Sequence, residues 1–114
     1  MLNANDNLDR DRRGAVRHRV LMGGKVAWTD NHLSGDCTIR DLSDDGARVE
    51  LSSEALPRHP ILIVTRSGLA HEARTTWTHG RMAGLKFINT YDLNAAVPPQ
   101  LQHLRRLWVE KLPR

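Results

Sequence analysis

Residues 41–51 read D-L-S-D-D-G-A-R-V-E-L. The first half gathers Asp41, Ser43, Asp44 and Asp45 ahead of Gly46. Short acid and hydroxyl side chains bond nearby backbone, and glycine relaxes it, so this half predicts a tight turn. The second half alternates, with Ala47, Val49 and Leu51 on one side and Arg48 and Glu50 on the other. Period-two alternation marks a strand with one buried face. A turn feeding a half-buried strand is the unit from which the chain can be read in both directions.

Upstream, residues 35–42 place Cys37 and Ile39 opposite Thr38 and Arg40, a strand that enters the same turn. T-D-N-H at residues 29–32 supplies the turn before it. Residues 19–28 put Val20, Met22, Val26 and Trp28 on one face and Arg19, Lys25 and Ala27 on the other. Gly23-Gly24 in the middle of that strand predicts a bulge or bend.

Downstream, Pro57 and Pro60 mark a loop. Residues 61–66 are an apolar, β-branched run, which predicts a buried strand. Ser67-Gly68 makes a tight connection to residues 69–79, where Ala73, Thr75 and Trp77 share a face. Gly80 opens another turn, and residues 82–88 return with Leu85 and Phe87 on one face. Strands so spaced, joined by short turns, predict an all-β antiparallel sandwich or barrel of six strands. The period then changes. Pro98-Pro99 suits a first helical turn, and Leu101, Leu104, Trp108 and Leu112 recur at three- and four-residue steps, so residues 97–112 predict an amphipathic C-terminal helix. It would pack across the barrel or against a partner.

The bulk properties agree with one small domain: 114 residues hold one modest core. Lys plus Arg number 17 against 13 Asp plus Glu, a net charge of +4 that favours anionic partners. Only Lys25, Lys86 and Lys111 are lysines, and the arginine bias leans toward phosphate and the guanine edge. Cys37 is the single cysteine, which excludes an internal disulfide. Residues 1–11 are polar, without the apolar stretch of a signal peptide, and read as a flexible tail. A cytoplasmic protein with no membrane insertion is the expectation. The six histidines show no metal-ligand spacing, and no nucleophile–base arrangement is visible, so neither a metal site nor an enzyme is expected.

Two elements carry chemistry. The first is R-R-G-A-V-R-H-R-V at residues 12–20, in which Arg13 and Arg17 bound an R-x-x-x-R spacing with Arg12 and Arg19 beside them. A guanidinium offers a planar fork to two phosphate oxygens or to guanine O6 and N7, and stacks on a purine. The second is Asp41-x-Ser43-x-x-Gly46. Its carboxylate can accept from guanine N1–H and N2–H, its hydroxyl can bond a turn amide or a phosphate, and its glycine permits positive φ and close approach of a ligand. Taken singly, each also has a plain explanation, a solvated basic linker and an ordinary turn.

In this order the two elements resemble the PilZ domain family. The resemblance continues through D-L-S-D-D-G-A-R-V-E-L into the following strand. It extends to T-T-W-T-H-G-R-M-A-G-L-K-F at residues 75–87, with Gly84 and Phe87 in the family's G-x-x-F ending, and to the terminal helix. It spans residues 12–112, with 12–18 as a ligand-binding arm, 19–89 as a six-stranded barrel and 97–112 as the helix. The resemblance implies a receptor for the second messenger cyclic di-GMP. The ligand positions then fall on Arg13, Arg17, Asp41, Ser43 and Gly46, with Arg12 as a further phosphate contact. Trp77 reads as core from its alternation, with stacking beside the ligand as the alternative. No cofactor is implied. A downstream protein of unknown identity would read the signal, from a monomer or weak dimer. Two other readings remain open: a basic nucleic-acid-binding barrel, disfavoured by the scarcity of aromatic residues, and a PilZ-type fold used purely for protein–protein contact.

Overall fold

The computed structural model describes residues 18–28, 34–52, 56 and 58–111. Six strands, β1 (His18–Trp28), β2 (Ser34–Leu42), β3 (Gly46–Leu51), β4 (Pro60–Val64), β5 (Leu69–His79) and β6 (Met82–Asp92), close into an antiparallel barrel. Their order around the barrel is β1-β2-β3-β6-β5-β4. A 3-10 turn (Pro99–Leu101) leads into one α-helix, α1 (Gln102–Lys111). Closure gives each of these strands a partner on both sides over part of its length, which limits the free edges that are the standing hazard of small sheets.

Two apolar cores share one wall. The inner core fills the barrel with Val26, Cys37, Ile39, Val49, Leu51, Leu62, Val64, Ala73, Ala83 and Leu85. The outer core lies beneath α1 and joins Ala27, Ile61, Ile63 and Ala70 to Leu93, Val97, Leu101 and Leu104. That sharing explains the sequence of β4: all five of its residues are buried, because one face meets the barrel interior and the other the helix. It also corrects the reading of Ala27. Alternation put it on the solvent face, and it is indeed on the outer face, but α1 covers it. Trp108 fastens the helix, its indole N–H donating to the Thr65 carbonyl at 2.8 Å. At the tight connection before β5, Gly68 takes φ of 76°, and a Cβ there would meet Trp108 at 2.7 Å.

The bulges fall elsewhere than Gly23-Gly24. Pairing of β1 with β2 is regular from Met22↔Ile39 through Gly24↔Cys37 and shifts between Arg19 and Met22, so the bulge precedes the glycines. Gly24 is closely packed instead: a Cβ there would sit 3.0 Å from both Ile39 Cδ1 and the Ile63 carbonyl oxygen. A second shift separates Ile39↔Val49 from Asp41↔Arg48, which makes Arg40 an extra residue on β2. Two more lie between β5 and β6, at Glu72/Ala73 and at Thr75/Trp77. A bulge leaves one residue unpaired and re-aims the side chains beyond it.

Candidate functional site

The Arg40 bulge decides where Asp41 points. Ile39 is fully buried in the barrel and Leu42 packs against the same core, so strict alternation would have turned Asp41 inward with Ile39. The extra residue restores the inward face at Leu42 and leaves Asp41 on the outer wall. There its carboxylate Oδ2 accepts from Arg48 Nε, and the two side chains form an ion pair. Asp41 is nearly covered, with 9% of its side chain exposed, whereas the Arg48 side chain is 41% exposed. Oδ1 of Asp41 and the two Nη groups of Arg48 make no hydrogen bond among the described residues. Next to them, Arg40 clasps Glu50 through Nη2 at 2.6 Å and Nε at 3.1 Å.

The turn is built as its residue types predict. Ser43 donates its backbone N–H to the Gly46 carbonyl at 2.9 Å and its hydroxyl to Asp45 Oδ1 at 2.8 Å. The Phe87 amide donates to the Asp45 carbonyl at 2.8 Å and ties the turn to β6. Gly46 does not use the positive φ expected of it. Among the described residues only Gly68 and Gly80 have positive φ. A Cβ at Gly46 would lie 2.5 Å from the Leu85 carbonyl oxygen, so the close approach that requires glycine is that of the neighbouring strand.

Trp77 departs from the core position that alternation predicted. It is 44% exposed. The bulge between Thr75 and Trp77 reverses its face, and the indole lies in the space a side chain at Gly84 would need, 2.0 Å from that ideal Cβ. Strand pairing therefore lines up one row on the outer wall, Arg19↔Asp41↔Arg48↔Gly84↔Trp77 across β1, β2, β3, β6 and β5. The adjoining row runs Gly46↔Lys86↔Arg74, which places two exposed cations beside the tryptophan.

No protein-family model matches the chain, and no curated protein matches it.

Beside the turn, a recess of about 420 Å³ opens between the start of β1 and the β5–β6 pair, lined by Val20, Leu42, Ser43, Asp44, Leu69, His71 and Thr90. His71 stacks on Phe87 with ring centroids 3.9 Å apart, and its Nδ1 lies 2.8 Å from Thr90 Oγ1. Burial removes water from the imidazolium and pushes the His71 pKa down to about 4, so the ring is neutral near pH 7. Among the described residues, no three of His, Cys, Asp and Glu gather as a metal would need. Among the same residues, no helix is long and apolar enough to cross a membrane.

Of the residues singled out from sequence, Asp41, Ser43 and Gly46 come together at the β2–β3 corner, and Trp77 lies two strands beyond β3 on the same wall. Arg12, Arg13 and Arg17, and with them residues 12–17 of the proposed arm, lie outside the described residues, while His18, the last residue assigned to the arm, opens β1. The pairings His18↔Leu42 and Arg19↔Asp41 bring the start of β1 directly against the turn. Arg48 was missed as a site residue. Its outward phase in Ala47–Leu51 was legible, but its partnership with Asp41 depends on the bulge.

Proposed function

We propose that this protein is a non-catalytic cytoplasmic receptor of the PilZ type, which binds cyclic di-GMP and passes the signal on through a change of conformation or of partner contact. One observation carries the reading. His18 pairs with Leu42 and Arg19 with Asp41, so the chain that follows the R-R-G-A-V-R run enters β1 against the D-x-S-x-x-G turn. The first described residues after that run thus lie against Asp41 and its turn at one corner of a six-stranded barrel.

The chemistry is complementary to the ligand. Cyclic di-GMP carries two phosphodiester charges and two guanines. Arg13 and Arg17 would hold phosphate or the O6/N7 edge, with Arg12 on phosphate. Asp41 would accept from N1–H and N2–H, Ser43 would hold the turn in shape, and Gly46 would let the turn sit tight on β6. The exposed Trp77 offers a stacking surface on the same wall.

Calorimetric titration with cyclic di-GMP tests the proposal. Binding at or below tens of micromolar is expected, weakened about 10- to 100-fold by Arg13→Ala, Arg17→Ala or Asp41→Ala, since a hydrogen bond to a charged group is worth about 1.5–3 kcal/mol. A folded protein that gives no heat at that concentration would overturn it.

The same exposed tryptophan, flanked by Arg74 and Lys86, favours a second reading as a single-strand nucleic-acid surface. Salt-dependent binding of random single strands, indifferent to added cyclic di-GMP, would select it.

A further inference from the structure

The Asp41–Arg48 pair is bound together through only one atom of each side chain. The carboxylate keeps Oδ1 and the guanidinium keeps both Nη groups without a hydrogen bond among the described residues. Side by side, these remaining groups present an acceptor next to donors. Guanine's Watson–Crick face presents the complement: N1–H and N2–H as donors, with O6 as acceptor beside them. Adenine presents the opposite at the corresponding position, an N6 amino donor where guanine has O6, and it has no N1–H to give a carboxylate.

We infer that Arg48 is a specificity-determining residue, which together with Asp41 reads the Watson–Crick face of guanine by donating to O6. The inference rests on the proposed function and adds to it. The D-x-S-x-x-G turn supplies an acceptor for guanine donors, but a lone carboxylate can also accept from the adenine amino group. Arg48 removes that ambiguity, because a guanidinium facing N6 meets a donor with a donor. Half-exposure makes the position fit for this, since the fork can reach a ligand without breaking into the barrel. The extra residue Arg40 is what holds the two side chains on one face, and its own guanidinium is engaged by Glu50.

The test compares cyclic di-GMP with cyclic di-AMP by calorimetry on the full chain, for the natural protein and for Arg48→Ala and Arg48→Gln. Thermal unfolding of each variant shows that it is folded, and the glutamine variant keeps length and a neutral donor should the alanine variant fail to fold. The natural protein is expected to prefer the guanine ligand. Arg48→Ala should cut that preference about 10- to 100-fold, through weaker guanine binding. Arg48→Gln should fall between the two. Parallel losses for both ligands, with the preference unchanged, would mean that Arg48 only supports Asp41 and would overturn the inference. Tighter cyclic di-GMP binding by Arg48→Ala would overturn it too, marking Arg48 as a competitor for the carboxylate. If the natural protein binds neither ligand, the receptor reading falls and takes this inference with it. If it binds both equally, the receptor reading stands and the inference alone fails.

Discussion

Asp41 and Arg48 face each other across β2 and β3 because Arg40 is one residue more than the ladder needs. Without it, Asp41 would share the inward face of Ile39, and a carboxylate in an apolar barrel without a partner is strongly unfavourable. The bulge turns an interior clash into an outer-wall ion pair.

That pair should be measurable as a coupling. Asp41 is nearly covered while Arg48 remains half in water, which reduces the interaction below that of a fully buried pair. A double-mutant cycle with Asp41→Asn and Arg48→Gln, followed by urea unfolding, is expected to give a coupling of about 1–2 kcal/mol. A coupling indistinguishable from zero would show that the contact contributes nothing to stability.

Gly46 and Gly23 should respond differently to a methyl group. Gly46→Ala forces a Cβ onto the Leu85 carbonyl oxygen, which is backbone and cannot step aside, so a loss of about 1–3 kcal/mol is expected. Gly23→Ala meets nothing within 4 Å, and its φ is not positive. It should be neutral or stabilise by up to about 1 kcal/mol, through a less flexible unfolded chain. Denaturation midpoints of the two variants decide the matter, and equal midpoints would contradict it.

The helix is an integral part of the fold on this account. Leu104 is fully buried in the outer core against Ile61 and Ile63, the backs of residues whose neighbours line the barrel. Leu104→Ala is expected to cost about 2–5 kcal/mol. Amide exchange should quicken in α1 and in β4 together. Faster exchange confined to the helix would mean that the two cores are energetically separate.

Stability should rise with pH between about 4 and 6.5 because of His71. The unfolded imidazole titrates near 6.5 and the folded one near 4, so in that window the unfolded chain binds the extra proton and gains from acid. The contribution is fully present above about 6.5, declines as pH falls, and is lost below about 4. It is on the order of 2 kcal/mol. His71→Phe should flatten this part of the profile, and an unchanged slope in that variant would assign the acid sensitivity to other groups.

Much of the fold is legible in the sequence for a simple reason. Alternation is local, so Ala47, Val49 and Leu51 declare their face without reference to any other strand. Turn chemistry is local as well, and Ser43 bonds Asp45 and Gly46 within its own short segment. Six antiparallel strands and the terminal helix follow from such signals, which fit a sandwich as well as a barrel. What reading strand by strand does not supply is the count of residues between pairing partners. Bulges at Arg40 and between Thr75 and Trp77 are properties of two strands at once. They decide that Asp41 meets Arg48, that Trp77 lies outside over Gly84, and that both stand on the same wall. Nor can one strand reveal that Ala27 has a helix above it or that Gly46 is pressed by Leu85. The sequence by itself determined the strands, the turn and the residue types at its corner. Tertiary structure alone decided which faces those residues share, because register and close approach are set between segments far apart in the chain.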